Sequence, residues 1–273
     1  MLSDSKALLY LCSLNLHAML AFTKQGAGPT LILIHGFCES KEMWTAFARE
    51  LSKSYTVYAV DLPGFGDSAF EQSSISLEEA AVAVHDWMEQ EKISQPAVIG
   101  HSLGGYVALA MAELDGASLK AIGLFHSTAF KDDEEKIGIR NRTLSFIKKH
   151  GVEKFVDSFV PPLFSEQHRI EQGEAIAQLI ERGKKSSKKG VLAFIEAMRD
   201  RKDRMDVWKN FPGPKLMIAG SLDASVKIEA SRQHQPFASH YHELPETGHM
   251  GMFEEPEKTL QLMEGFLRDV WAK

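Results

Sequence analysis

Six short apolar runs punctuate the chain: Thr30 to His35, Thr56 to Asp61, Ala97 to Gly100, Leu119 to Phe125, Lys215 to Ala219 and Ser239 to Leu244. Turn-forming residues bound them, and most are apolar on both faces, as strands covered by helices on both sides would be. Between them, apolar positions at helical spacing predict helices over Ser40 to Leu51, Ser76 to Glu91, Leu103 to Leu114, Val226 to Gln235 and Glu255 to Trp271. This alternation predicts an α/β fold with a doubly wound, mostly parallel sheet. The stretch from Ala7 to Phe22 is apolar but interrupted by Asn15 and His17, and no basic run precedes it. A β-hairpin opening the sheet is therefore expected there, rather than a signal peptide. No apolar run reaches the roughly 18 residues a membrane-spanning helix needs.

The rhythm breaks once. From Lys131 to Asp206 no strand-like run occurs, while Phe146, Phe155, Phe159, Phe164, Phe194 and Ile195 form apolar faces among charged residues. About 75 residues between two strands are too many for a plain loop. They are expected to form a helical cap, 131–206, inserted into a core made of 1–130 and 207–273. Charge sharpens this division. The formal net charge of the 273-residue chain is −6; the insertion is +3 and the remainder −9. An acidic core argues against nucleic-acid binding, which needs a phosphate-neutralising excess of Lys and Arg. The basic cap segment, Arg182 to Lys189, leaves room for an acidic acyl carrier, although such runs are commonly solvated turns. The two cysteines, Cys12 and Cys38, make no disulfide framework and suit a reducing, cytoplasmic setting.

The sharpest motif is Gly100-His101-Ser102-Leu103-Gly104, between a strand-like run and a helix-forming one. A strained strand-to-helix turn holds such a serine clear of the sheet, and the small residues two positions either side allow it. Ser102 would then sit at a helix N-terminus, whose positive end favours a developing oxyanion. A serine hydroxyl needs a base, and the base an orienting carboxylate. In this architecture the chain order is Ser, acid, His. His249 lies in a loop between the last strand and the final helix, whereas His234 falls in a helix pattern and His240 and His242 on a strand. Asp223 follows the strand from Lys215 to Ala219, at the carboxyl end where sites in such sheets lie. The other position open to an acid begins His126-Ser-Thr-Ala and carries no carboxylate. Ser102, Asp223 and His249 are thus the expected triad. Backbone N–H groups of Leu103 and of Phe37, in His35-Gly36-Phe37-Cys38, are the expected oxyanion donors. His35 is expected to brace its loop, Cys38 either to line the pocket or to be an inert buried thiol, and Asp61 to stabilise a turn.

His35-Gly36-Phe37, Asp61-x-x-Gly-x-Gly-x-Ser68, Gly100-x-Ser102-x-Gly104, Gly220-x-x-Asp223 and Gly248-His249 occur in the order found in the α/β-hydrolase fold superfamily, which the chain resembles throughout except in the cap. The resemblance implies an eight-stranded sheet, a cap after the sixth strand and no cofactor. A serine at position 102, rather than aspartate, departs from the epoxide hydrolases and haloalkane dehalogenases. His35-Gly-Phe-x-x-Ser40-x-x-x-Trp44 looks like a pattern shared by small-ester esterases, perhydrolases, carrier-protein methyl esterases and menaquinone-pathway synthases. Trp44 is expected to be a core anchor.

The expected activity is hydrolysis of carboxylic esters or thioesters of small acyl substrates through an acyl-enzyme, with Phe146, Phe155, Phe159 and Phe164 as candidate pocket walls. The alternatives are a carrier-protein methyl esterase, or C–C hydrolysis or lyase chemistry with the same triad, with Arg140, Arg142 and Arg169 available to clamp a carboxylate. A ligand-binding protein signalling through its lid is a third reading, which an intact triad disfavours. No metal is expected: His240 and His242 could share one strand face but lack a third ligand.

Overall fold

A computed structural model describes residues 20–272. Among these residues the sheet shows seven strands, one short of the eight expected: β1 (Phe22–Gln25), β2 (Thr30–Ile34), β3 (Thr56–Val60), β4 (Ala97–His101), β5 (Ala121–Phe125), β6 (Lys215–Gly220) and β7 (His240–Leu244). They lie in the order β1-β3-β2-β4-β5-β6-β7. Among the described residues β1 pairs antiparallel with β3, and every other neighbouring pair is parallel. The expected apolar runs are these strands, within a residue or two at their ends. Most of the hairpin expected from Ala7 to Phe22 lies outside the described residues.

Strands β4, β5 and β6 are buried along their whole length. Helices cover them: α1 (Thr45–Leu51), α2 (Leu77–Gln90), α3 (Leu103–Asp115) and the last, α12 (Pro256–Trp271). Ser76 starts α2 with a capping box, its hydroxyl accepting from Glu79 N–H while the Glu79 carboxylate returns to Ser76 N–H. The helix expected over Ser40 to Leu51 begins as a 3-10 turn, Lys41–Trp44, before α1. That turn carries Trp44 into the core against Phe47 and Phe125.

Between β5 and β6 the chain is helical throughout: α4 (Glu134–His150), α5 (Val152–Phe159), α6 (Glu166–Glu171), α7 (Gly173–Gly183), α8 (Lys188–Arg199) and α9 (Met205–Asn210). Two further short helices are α10 (Ile228–Arg232) and α11 (Gly251–Glu254). The two ends of the helical run are tied together: Arg201 Nη1 lies 2.6 Å from the buried Asp132 carboxylate, which Arg140 Nε also meets at 3.0 Å. Strand order reverses between β2 and β4, one leading outward to β3 and the other to β5. A crevice outside the carboxyl ends of these strands is where such sheets bind ligands. Gly36-Phe37 and Ser102 follow those two ends.

Candidate active site

Ser102 joins β4 to α3 with φ 48° and ψ −112°, a backbone state that side-chain-bearing residues rarely adopt. Its surroundings hold it there. Its N–H donates to the Phe125 carbonyl at 3.0 Å, and its own carbonyl accepts from the Ser127 hydroxyl at 2.7 Å. The turn also needs bare backbone: a Cβ on Gly100 would collide with the Gly104 carbonyl, and one on Gly104 with the carbonyls of Ile34 and His35. Glycine at both positions lets β4, the first turn of α3 and the end of β2 approach one another. The N-terminus of α3, with Leu103 as its first residue, is thereby seated against the His35-Gly36 loop.

Asp223 and His249 lie on the loops after β6 and β7 and are both buried. His249 Nδ1–H donates to Asp223 Oδ2 at 2.7 Å, which leaves Nε2 as the basic nitrogen. The other carboxylate oxygen accepts from the N–H groups of Ser225 and Val226, at 2.7 and 2.9 Å. Burial alone would raise the Asp223 pKa, but the His249 and His126 imidazoles hold it well below the usual carboxylate range. Burial opposes charge on His249 as well, yet Asp223 outweighs it and lifts the imidazole above an ordinary histidine. The elbow reaches this pair through His101: its ring centroid is 4.9 Å from that of His249, and its Nε2–H donates to the His249 carbonyl at 2.9 Å.

The loop after β2 is fixed through its peptide planes. His35 Nε2 accepts from Leu62 N–H at 3.0 Å, so Nδ1 carries the hydrogen and donates to the Gly36 carbonyl at 2.7 Å. The peptide is planar, so holding the Gly36 carbonyl also aims the Phe37 N–H on its opposite side. Gly36 N–H donates to Glu39 Oε2 at 2.7 Å. His35 is thus the brace expected of it. Cys38 follows at φ 58°, buried, and burial pushes its thiol pKa well up, so it is an unreactive thiol rather than a nucleophile. Asp61 accepts from Lys41 N–H and Asp67 N–H and pairs with Lys41 Nζ at 2.7 Å, the turn role its sequence suggested.

Helices between β5 and β6 reach this site directly. Phe155 and Phe159 of α5 stack on each other and lie 6.0 and 5.8 Å from Phe37, between ring centroids. His249 N–H donates to the Leu163 carbonyl at 2.7 Å. Glu254, fully enclosed, accepts from Gly248 N–H and Met250 N–H, the residues flanking His249, and from Ser165 N–H, each at 2.9 Å. Phe164 is buried and packs on Phe253. Phe146 departs from expectation: it is 40% exposed on α4, its ring tilted against His150, and is no pocket wall. The spacing of apolar residues in α4 cannot say which face meets the core when the helix buries little but Leu144 and Ile147.

Sequence reasoning missed Glu39, His126 and Glu254. Each is charged or polar, isolated in the sequence and buried; a buried polar group leaves no periodic trace. His126 follows β5 at φ 47°, with its Nδ1 3.5 Å from Asp223 Oδ2. With Asp223 and His249 it makes a set of three buried groups whose ligand atoms lie within 4.8 Å of one another. A cation there would have to displace the proton between Asp223 and His249. His234 is a core histidine, bonded through Nε2 to Ala129 N–H and through Nδ1 to the Ala230 carbonyl. Two of the arginines considered as carboxylate clamps have partners, Arg140 on Asp132 and Arg169 on the Phe164 carbonyl. Within the basic segment, Lys184 pairs with Asp157 and Glu181, and Ser187 N–H donates to the Gly64 carbonyl. Arg182, Lys185, Lys188 and Lys189 are exposed.

The sequence profile of the Alpha/beta hydrolase family matches residues 31–262. A pimeloyl-[acyl-carrier protein] methyl ester esterase of Vibrio cholerae is 31% identical over 212 residues, 77% of this chain and 72% of that protein. The dihydrolipoyllysine-residue acetyltransferase component of an acetoin cleaving system from Pseudomonas putida is 29% identical over 88% of this chain, which spans only 64% of that protein. Among solved structures, a thermophilic esterase from Thermogutta terrifontis superposes with a TM-score of 0.87 at 27% identity, covering 92% of this chain and 93% of its own. No helix among the described residues is long and apolar enough to cross a membrane.

Proposed function

Because this chain belongs to the alpha/beta hydrolase family, we propose that it cleaves carboxylic esters or thioesters of small acyl substrates through Ser102, His249 and Asp223. The observation that carries this reading is the 2.7 Å bond from His249 Nδ1–H to Asp223 Oδ2 beside a strained serine elbow. His249 Nε2 takes the proton of Ser102 Oγ as that oxygen attacks the acyl carbon, and Asp223 holds the imidazolium so formed. The Phe37 and Leu103 N–H groups receive the charge that develops on the carbonyl oxygen. His249 then returns its proton to the leaving alcohol or thiol. Water, deprotonated by the same nitrogen, releases the acid and restores Ser102.

In this reading residues 131–206 form the cap, and Phe155 and Phe159 with Phe37 supply an apolar wall for the acyl group. The free, buried Cys38 suits a reducing cytoplasm. A carrier-borne methyl ester is the second reading, favoured by the likeness to the Vibrio cholerae esterase and by the exposed cations of the cap. Lyase chemistry is less well supported, since Arg140 and Arg169 are already engaged.

The test is a burst of p-nitrophenol from short-chain esters, with stoichiometric labelling by a fluorophosphonate. Both vanish in Ser102→Ala if the reading holds. Turnover that survives this change, or an unaltered chain that is neither labelled nor active, overturns it. Faster hydrolysis of a methyl ester on an acyl carrier than of the free ester would select the second reading.

A further inference from the structure

Glu39 and His101 lie outside the triad, yet they are buried together directly beneath it, at 7% and 0% exposure. Glu39 Oε2 accepts from Gly36 N–H at 2.7 Å and meets His101 Nδ1 at 3.0 Å. The far side of the same imidazole, Nε2, meets the His249 carbonyl at 2.9 Å. Neither a carboxylate nor a carbonyl can donate, so both nitrogens of His101 carry hydrogens. The ring and Glu39 then form an ion pair shut away from water, where charge-assisted hydrogen bonds are at their strongest.

From this geometry we infer that Glu39 and His101 are positioning residues that set the oxyanion loop and the base loop from one rigid support. The inference rests on the serine-hydrolase reading above. The support is continuous: Gly36 N–H, Glu39, His101, His249 carbonyl. At one end it fixes the glycine whose next peptide carries the Phe37 N–H. At the other it fixes the main chain of the general base. His101 is also the residue before Ser102, so the elbow is tied to both loops. Space confirms the fit, because a Cβ on Gly36 would stand 2.6 Å from both Glu39 Oε2 and His101 Nδ1. Burial would raise the Glu39 pKa, but the His101 imidazole more than offsets it and keeps the carboxyl below its usual value, as an ion pair requires.

A support of this kind acts mainly on the transition state. Oxyanion and base contacts are completed only as the tetrahedral intermediate forms, so slackening them lowers kcat and leaves KM nearly unchanged. Glu39→Gln and His101→Gln should each cut kcat about 10- to 100-fold, as small misplacements of reacting groups do. The double variant should be no worse than the more damaged single one, because both changes break one chain. An independent measurement needs no activity and no variant: in the unaltered protein near neutral pH, histidine-labelled NMR should show two exchange-protected ring N–H protons on His101, assigned by the through-space contact of its Nδ1 side with the Gly36 backbone. A single protected ring proton on His101 overturns the ion pair even if the variants fail to fold. Folded variants with kcat within about threefold of the parent, or with KM raised and kcat kept, overturn the positioning role. Fluorophosphonate labelling of Ser102 in the parent separates these outcomes from failure of the serine-hydrolase reading itself.

Discussion

His126 Nδ1 stands 3.5 Å from the Asp223 oxygen that His249 holds at 2.7 Å. At that distance it is not a good hydrogen bond, and neither nitrogen of this buried ring has a partner among the described residues. Burial lowers the His126 pKa although Asp223 pulls the other way, so the ring is neutral and its dipole competes weakly with His249 for the carboxylate. Asparagine tolerates the φ of 47° at this position. His126→Asn should therefore keep turnover within about tenfold while moving the pH midpoint of kcat/KM upward, because Asp223 then acts on His249 alone. The midpoint is read from ester hydrolysis across pH; a downward shift contradicts the account.

Removing Asp223 has the opposite sign. Burial lowers the His249 pKa and Asp223 raises it, with the net shift upward. The base must be neutral to accept the serine proton, so activity rises as pH climbs through that raised value. Asp223→Asn leaves burial opposed by the weaker pull of Glu39 and Glu254 alone, which moves the midpoint down, and it also loses the tautomer, with kcat falling about 10⁴-fold. A pH profile of the residual activity checks both the direction and the size.

Glu254 organises the base loop from below, and its two oxygens meet N–H donors from Gly248, Met250 and Ser165. A carboxamide can offer only one acceptor oxygen, so Glu254→Gln turns an NH₂ toward buried donors. It should cost about 3 kcal/mol of stability, the scale of a buried charged group losing its partners. Urea unfolding measures the loss; a midpoint unchanged from the parent would show that the loop holds itself.

The helical run between β5 and β6 rests on bare backbone at another place. A Cβ on Gly190 would stand 2.9 Å from the Cα of Gly64, and Ser187 N–H donates to the Gly64 carbonyl. Gly190→Val should destabilise by about 2 kcal/mol through overpacking. It should also lift α8 and alter the relative kcat/KM of short and long acyl esters. Denaturant unfolding and an acyl-chain series check the two effects separately.

The fold, and the loops on which Ser102, Asp223 and His249 stand, were legible in the sequence for a shared reason. Strands such as Ala97 to His101 are apolar on both faces, and elbow and loop residues sit where turn chemistry leaves marks, as at Gly100 and Gly104. What surrounds the site was not. Glu39, His126 and Glu254 matter through partners that lie far along the chain, such as His101, 62 residues from Glu39, and Ser165, 89 residues from Glu254. No local pattern records such pairings. Phe146 failed for a related reason: an apolar residue on a mostly polar helix predicts burial only if a neighbour comes to cover it.

The bond from His249 N–H to the Leu163 carbonyl, with Ser165 N–H on Glu254, stitches the base loop to the helical run above it. The two parts are therefore not interchangeable modules. Grafting the helical run of a relative in place of this one would sever bonds to His249 and Glu254 unless the main-chain path through 163–165 is kept. A substrate-range graft is bounded by those three positions and by the seat of Ser187 and Gly190 on Gly64.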